Sequence, residues 1–593
     1  MSVRKMRRAR ARALAAGTAI SISVAALPAA ASADSVVTNN NDSGAGSLRQ
    51  ALAESNAGPD ADTITFAASV TGSITVNSEL TVNYATKIVG PGTASLTVRA
   101  PSSRVFFFYP FAGGDLELEG ITVTGTPPGG STVGAGVDAN CAGANAGLVL
   151  RNAAITASTT AQRGGGIFSD GCDVSLVGST ISGNTTTGVG AHGGAIFLTD
   201  SPGGGTADRL GIVDSVISGN STGEHGGGVF ASEVPAAIEI TRSVISDNHT
   251  PIGSCRCGGG LYLDDVGPIT VDASTIAGNS AGAGGGMFVA GQEEAFAMRN
   301  TTVTANSGQG AGLYIENDSE APFTIANSTI AGNTAGDSEG GGIYFGSFSE
   351  GSDLVLSSTI VAGNTGASGP DIHNAASGET LVLVDHSLIG QATGVLRLAE
   401  SAPGTNKLDT GPIPLGPLTD NGGPTPTMLP QLGGPAIDAG VANSFSTDQR
   451  GLIRTVDQPA LANGTGSDGT DIGAVELADS EISGAGLKAK KKQKQKGKKV
   501  KVVVELSAAE PVTANASGSI KLGKKKLPLT KPSTDLDPGE RKKLTLKPKG
   551  KRAAKTIVKT LAKGKAAKAS VAVTFADPAG NTEQTSIGAK LVD

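Results

Sequence analysis

The side chains that could catalyse a reaction are thinly spread in this chain of 593 residues. The acidic candidates are Asp170, Asp173, Asp264 and Asp265, and the nearest basic side chains are Arg163, Arg242 and Arg256. Two carboxylates at a set separation can hydrolyse a glycosidic bond. An acidic Ca²⁺ site beside an arginine base suits the elimination reaction of a polysaccharide lyase. Residues 34–483 carry 45 Asp and Glu against 14 Lys and Arg, so acidic turn residues are common there. We therefore predict no catalytic residue and keep a polysaccharide lyase or glycoside hydrolase as the alternative.

A column of aromatic residues recurs two positions after a triplet of small residues. The first and third positions after each triplet are almost all apolar and should point inwards, so alternation directs the second position outwards. This column is Phe168, Phe197, Phe230, Tyr262, Phe288, Tyr314 and Tyr344, with Asp170, Asp264, Asp265 and Glu316 just beyond it. Aromatic faces beside acids suit sugar rings, so one interpretation of the column is a polysaccharide-binding groove. The alternative is burial beneath loops, because exposed apolar columns of this length are unusual.

Two histidines and a cysteine lie at equivalent positions just before three successive triplets. His192, His225 and Cys257 could together ligate zinc, but no carboxylate completes the set. Stacked, solvated imidazoles are the more ordinary arrangement. We therefore predict no bound metal and no other cofactor.

The four cysteines divide into two pairs. Cys141 and Cys172 occupy nearly the same position in consecutive repeats, and adjacent coils match the Cα spacing of a disulfide. We predict a Cys141–Cys172 bond, which an oxidising compartment would preserve. Cys255 and Cys257 form either a local turn bridge or free thiols.

These side chains are positioned by a repeat with a period of about 29 residues, since the third small residue of the triplets advances from 166 to 342 in six steps. Such a period without a helical pattern predicts a β-solenoid, and crossover chirality favours right-handed winding. Each repeat also carries an asparagine that tolerates left-handed backbone angles and can bond the next one along the axis. This predicted ladder is Asn184, Asn220, Asn248, Asn279, Asn306, Asn333 and Asn364.

Both ends of the repeat resemble known segments. Ser47-Leu48-Arg49-Gln50-Ala51 resembles the CSLREA-type segment of bacterial secreted β-helix proteins, and Ser47 can cap a short helix over the first coil. The Gly-Gly-Gly-Ile repeats resemble those of polymorphic outer-membrane proteins. The stretches 416–427, 434–440, 447–451 and 471–476 resemble the choice-of-anchor Q domain. The resemblance implies an all-β, right-handed parallel β-helix of the pectin-lyase-like class on a bacterial surface or secreted, followed by an anchoring module.

Charge and composition divide the chain into segments. Residues 1–33 hold six basic residues, an apolar run and Ala31-Ser32-Ala33, which predicts a signal peptide cleaved before Asp34. No later segment is long and apolar enough to span a membrane. Residues 484–593 carry 27 Lys and Arg against 8 Asp and Glu. We predict an N-terminal cap with first coils (34–130), central repeats (131–370), a choice-of-anchor Q-like end of the β-helix (371–483), a disordered Lys-rich linker (484–499) and a basic β-sandwich-like domain (500–593).

These features together predict a non-catalytic protein, secreted or extracellular and associated with the cell wall, that mediates adhesion or binds a polysaccharide. Its basic module would attach to anionic cell-envelope polymers by charge. Binding of nucleic acid is not expected, because the lysines are not interleaved with aromatic residues. A further alternative is that the basic domain docks on the acidic β-helix of the same chain, here called the rod.

Overall fold

The computed structural model describes residues 34–593 apart from 130–131, 142–143, 201–208, 252–256, 293, 318–321, 348–352, 376–379, 394, 412, 459–460, 479–481, 483, 496, 498, 510 and 578–580. The predicted signal peptide, Cys255 and Arg256 lie outside the described residues. Among the described residues, no helix has the length and apolar character needed to cross a membrane.

Residues 35–408 wind into a parallel β-solenoid of about 11 turns, which confirms the predicted fold class. Sheet A has 14 strands: Ser35–Val37, Asp62–Phe66, Thr86–Val89, Leu116–Glu119, Gly147–Arg151, Asp173–Val177, Leu210–Val213, Ile238–Thr241, Ile269–Asp272, Phe296–Arg299, Phe323–Ala326, Leu354–Ser357, Val382–Asp385 and Leu398–Glu400. Sheet B has 13: Gly72–Thr75, Leu96–Ala100, Thr122–Gly125, Ala154–Thr156, Thr180–Ser182, Val216–Ser218, Val244–Ser246, Thr275–Ala277, Thr302–Thr304, Thr329–Ala331, Ile360–Ala362, Leu388–Ile389 and Lys407–Leu408.

Sheet C carries the aromatic column and has 11 strands: Leu80–Val82, Phe106–Phe108, Val137–Asn140, Ile167–Asp170, Ile196–Thr199, Val229–Val234, Leu261–Val266, Met287–Gln292, Leu313–Asn317, Ile343–Ser347 and Ile372–Asn374. Two further short sheets have two parallel strands each: Thr159–Thr160 with Thr185–Thr186, and Ser280–Ala283 with Ser307–Gln309. Alternate residues of each strand point inwards, as in Leu261 and Leu263, which are fully buried. The three sheets therefore enclose one continuous apolar core.

The predicted asparagines form an uninterrupted ladder inside one corner of the solenoid. Each side-chain N–H group donates to the Oδ1 atom of the next asparagine at 2.9–3.0 Å. The last of them, Asn364, donates instead to Asp371 Oδ1 at 2.9 Å. The left-handed residue at this corner is not the asparagine, as the sequence suggested, but its predecessor, for example Gly183 (φ 64°) and Gly219 (φ 64°). The asparagine then keeps ordinary angles and directs its amide along the axis.

The glycine triplets lie where neighbouring coils approach most closely. A Cβ atom on Gly165 would lie 2.2 Å from the carbonyl oxygen of Gly194, and one on Gly194 would lie 2.2 Å from that of Gly227. Both distances are far below contact, so the corner before sheet C requires glycine for close backbone approach.

The first coil is covered by helix α1 (Leu48–Ser55), whose N-cap Ser47 accepts a hydrogen bond from the backbone N–H of Gln50. Leu48 and Leu52 are buried on its inner face. Farther along, the Sγ atoms of Cys141 and Cys172 are bonded, with their Cα atoms 5.0 Å apart in consecutive coils. The cap closes the apolar end of the core, and the disulfide ties one coil to the next.

The β-helix ends at Leu408, earlier than the residue 483 expected from the sequence. Residues 411–477 are here called the docked segment. Its described residues form only isolated bridges and pack against the outer face of sheet B. Its many prolines remove backbone donors, which disfavours further regular strands. It buries the outward residues of Thr275–Ala277, Thr302–Thr304, Thr329–Ala331 and Ile360–Ala362, which earlier coils leave half-exposed.

The C-terminal module contains two antiparallel-rich sheets around a separate core. One has the strands Gly486–Lys488, Val502–Ser507 and Arg541–Leu546. The other has Lys492–Lys494, Val512–Leu522, Lys525–Pro528, Ser533–Leu536, Ala567–Ala576 and Thr582–Val592. Helix α2 (Lys551–Leu561) packs on this core through Ile557 and Leu561.

The disordered linker predicted for 484–499 is wrong in its described part. Gly486–Lys488 pairs with Val502–Ser507, and Lys492–Lys494 pairs with Thr582–Val592. The Gln493 side chain also bonds to the strand Val502–Ser507. Its amide donates to the carbonyl of Val503 at 2.7 Å and accepts from the Val503 N–H at 2.9 Å. The lysine side chains stay exposed, so strand formation buries no charge there.

Candidate ligand-binding surfaces

The predicted aromatic column points outwards from sheet C, and its rings stack on each other along the axis. Centroids of consecutive rings are 4.4–5.3 Å apart, with planes within 14° of parallel. We call this series the aromatic ladder: Phe168, Phe197, Phe230, Tyr262, Phe288, Tyr314, Tyr344 and His373. The strand spacing of a parallel sheet matches the spacing of stacked rings, so the fold imposes the stack.

Stacking leaves only ring edges of the aromatic ladder facing outwards. Phe197 is 3 % exposed and Tyr314 is 9 % exposed, and the other rings are at most half-exposed. A pyranose ring packs its C–H bonds on an aromatic face, and the interior faces of this ladder are covered by neighbouring rings. The geometry therefore favours the packing interpretation of the column over the groove interpretation.

Two of the acidic side chains beside the ladder, Asp264 and Glu316, accept hydrogen bonds from its tyrosines. The Tyr262 hydroxyl donates to Asp264 Oδ2 at 3.4 Å, and the Tyr314 hydroxyl donates to Glu316 Oε1 at 2.9 Å. Burial, followed by the nearby carboxylates, raises the pKa of both phenols, so they remain protonated donors. These acids thus have a structural use within the ladder.

The two histidines of the zinc hypothesis are also part of a stack. The imidazoles of His192 and His225 are 5.1 Å apart, and Nδ1 of each accepts a backbone N–H from the following coil, that of His225 at 3.3 Å and that of Cys257 at 3.0 Å. Burial, His225 and Arg163 lower the pKa of His192 to about 4. Both Nδ1 lone pairs are therefore engaged within the fold.

The structure separates the candidate catalytic residues Asp170, Asp173, Asp264 and Arg242. Asp170 and Asp264 face the same side of sheet C, but the register separates them by three strand spacings, or about 14 Å. A carboxylate pair that cleaves glycosides needs a separation of about 5–10 Å. Asp173 lies on sheet A, and Arg242 forms an ion pair with Asp214 at 2.7 Å. Across the described residues, no group of three His, Cys, Asp or Glu side chains is placed to hold a metal ion.

The motifs that resemble the choice-of-anchor Q domain supply buried acidic side chains to the docked segment. Asp448 accepts hydrogen bonds from the backbone N–H groups of Arg450, Leu452 and Glu476. Asp471 and Glu476 each accept two backbone N–H groups of the segment, and both oxygens of Asp438 accept the backbone N–H of Gln458. The carboxylates thereby replace the strand pairing that the segment lacks.

Two buried side chains fasten the docked segment to the solenoid. The fully buried Arg454 donates to Asn300 Oδ1 at 2.8 Å and to the carbonyls of Gly473 and Ala474 at 2.9 Å. Gln449 accepts from the Thr302 hydroxyl at 2.6 Å and donates to the carbonyl of Ser274 at 2.9 Å. Burial raises the pKa of Asp438 to about 7, and burial also raises the pKa values of Asp471 and Glu476. All these groups are inaccessible, so the motifs build structure here.

The C-terminal module has a basic groove of about 670 Å³ along the strands 492–494, 502–507 and 541–546. We call it the lysine groove, and its charged lining is Lys488, Lys490, Lys492, Lys494, Lys501, Lys543 and Glu505. All six lysines are exposed. The lysine cluster is evident in the sequence. Its arrangement around one concave surface is not, because it depends on strand pairing within residues 484–499, for which a disordered linker was predicted.

Four aromatic residues near the first coils were not predicted as site residues: Tyr84, Phe107, Tyr109 and Phe111. Their rings form a chain of contacts with centroids 5.8–6.0 Å apart. The available signal was the run from Phe106 to Phe111, where alternation places Phe107 outside and Phe106 and Phe108 inside.

Comparison with known proteins agrees with this architecture. The family described as the right-handed β-helix region matches residues 165–365, the part of the chain with the most regular repeats. A search of curated proteins found no match. The chain is thus an all-β protein built on a parallel β-solenoid, similar over those residues to right-handed β-helices.

Proposed function

We propose that the protein is a non-catalytic, exported β-helix rod that attaches to an anionic polymer of the cell envelope through its lysine groove. The observation that carries the proposal is the groove itself, whose charged lining consists of six exposed lysines and one glutamate. Phosphate or carboxylate groups repeated along a polymer would meet several ammonium groups at once, and such attraction is long-ranged at low salt.

Two sequence features support this assignment. The signal-peptide pattern of residues 1–33 directs the chain out of the cytoplasm. The resemblance of the docked segment to the choice-of-anchor Q domain implies that an anchoring module follows, and the basic module occupies that place. The acidic rod would then project away from the anionic polymer.

The test is binding of the full chain to poly(glycerol phosphate), a soluble polyanion, by isothermal titration at several salt concentrations. Reversing three groove charges (Lys492→Glu, Lys494→Glu and Lys543→Glu together) should weaken binding about 100-fold at low salt, since each surface lysine contributes about 1 kcal/mol. The matched control reverses Lys521, Lys524 and Lys526, which change the net charge equally and do not line the groove. Equal losses in both triple variants would show that net charge, rather than the groove, drives binding.

A further inference from the structure

The first coils carry an exposed aromatic surface that the attachment function does not use. Phe111 is 65 % exposed and Tyr109 is 42 % exposed, while Tyr84 and Phe107 are half-buried. Phe107 stacks beside Tyr109, with centroids 6.0 Å apart and planes 24° apart, but the outer rings turn against one another, unlike the parallel rings of the aromatic ladder. Tyr109 meets Phe111 at 78°, and Phe111 meets Tyr84 at 88°. Edge contacts of this kind leave ring faces open to solvent.

The backbone beneath these rings is held by a set of hydrogen bonds. The N–H of Tyr109 donates to the carbonyl of Val82, and that of Phe111 donates to the carbonyl of Asn83, both at 2.9 Å. The Asn83 side chain donates to the carbonyl of Tyr109 at 2.9 Å, and its own N–H donates to Asn56 Oδ1 at 2.8 Å. The rings therefore sit on a fixed loop, which lowers the entropy lost when a ligand binds.

Polar groups border the surface. Arg104 lies 4.7 Å from the Phe107 ring centroid, and its guanidinium holds the carboxylates of Glu79 and Asp138. Glu79 is 38 % exposed and can accept hydrogen bonds from a ligand's hydroxyl groups.

We propose that Tyr84, Phe107, Tyr109 and Phe111 form a binding platform for a neutral polysaccharide, whose pyranose rings stack on Tyr109 and Phe111. Between residues 37 and 188, those two are the only exposed large apolar side chains among the described residues. Two rings offer far less area than the ~800 Å² per partner of a stable protein interface, but suffice for one or two sugars. Residues 34–483 carry 45 acidic against 14 basic residues, which disfavours an anionic polysaccharide.

The experiment is depletion binding of the full chain to insoluble cellulose, β-1,3-glucan and chitin in 0.5 M NaCl, with free sugar oligomers as competitors. High salt suppresses the lysine groove, so the two sites are tested separately. We expect saturable binding to at least one neutral polysaccharide. Replacing Tyr109 or Phe111 by Leu keeps an apolar side chain but removes the ring, and should weaken binding about fivefold singly and about twentyfold together.

Controls separate stacking from general stickiness. Leu432→Ala removes an apolar side chain that is 68 % exposed elsewhere, and should leave binding unchanged. Phe111→Trp enlarges the stacking face and should tighten binding about threefold. Thermal unfolding should be unaffected by these exposed changes. Absence of wild-type binding across the panel overturns the proposal, and so does binding that the Tyr109→Leu, Phe111→Leu double variant retains.

Discussion

At the scale of single residues, Asp371 is the group on which the asparagine ladder ends. Its Oδ1 atom accepts both the backbone and the side-chain N–H of Asn364, at 3.1 and 2.9 Å, and its Oδ2 atom accepts the N–H of Gln391 at 2.8 Å. Asp371→Asn would place an amide donor against one of these N–H groups. We expect a loss of about 1–3 kcal/mol in the free energy of unfolding, measured by denaturant titration. The exposed Asp60→Asn is the control and should change nothing.

His192 is expected to make the stability of the solenoid sensitive to acid. Its pKa is lowered from 6.5 to about 4, so the neutral ring stabilises the fold fully above pH 6.5, and this contribution is lost as the pH falls towards 4. Protonation would also disrupt the bond that Nδ1 accepts from His225. We expect a loss of about 1 kcal/mol across this range, after allowance for solvent screening. Thermal unfolding followed from pH 7 to 4 measures this pH dependence of stability. Glutamine does not titrate, so His192→Gln should make the stability less dependent on pH. An unchanged pH profile in the variant would assign the effect to other groups.

At the scale of elements, the docked segment should open more readily as the pH rises. The pKa of Asp438 is raised from 3.8 to about 7, so its contribution to stability is full below pH 4 and is lost as the pH rises through 7. The raised pKa values of Asp471 and Glu476 act in the same direction. Hydrogen exchange, corrected for intrinsic rates, should show residues 438–476 losing protection several-fold from pH 5 to 8 while sheet A does not change. Asp438→Asn should reduce this dependence and Asp420→Asn should not.

How far the sequence predicts these elements depends on whether their contacts repeat. The coils, the outward aromatic positions and the asparagine ladder follow from a period that each coil shares. Asp371 breaks that period, since it lies only seven residues after Asn364 yet occupies the next place in the ladder. Alternation places Tyr262 outside but does not determine that its ring faces are covered by Phe230 and Phe288. One partner of Arg454, Asn300, lies 154 residues away in the chain, beyond any local pattern.

At the scale of the whole molecule, the strong opposition of charge between rod and module sets up competition for the lysine groove. Residues 34–483 have a net charge of −31 and residues 484–593 a net charge of +19. At low ionic strength the module should be attracted to its own rod, and 0.5 M salt should screen that attraction, because the Debye length then falls below about 5 Å. We expect the radius of gyration from solution scattering to increase with salt, at constant protein concentration.

The same competition predicts an unusual salt dependence for polymer binding. A groove engaged by the acidic rod is not open to poly(glycerol phosphate), so the apparent affinity is reduced by the fraction of molecules in which the groove is occupied. Raising the salt from about 10 to 100 mM should first release the groove and strengthen binding, and higher salt should then weaken the polymer contact itself. In the groove variant with Lys492, Lys494 and Lys543 reversed, the chain should not be compact at low salt, and the affinity for the polymer should show no maximum as salt increases. A steady fall in affinity from the lowest salt, with no change in scattering, would mean that rod and module do not interact and that the polymer meets an open groove at every ionic strength.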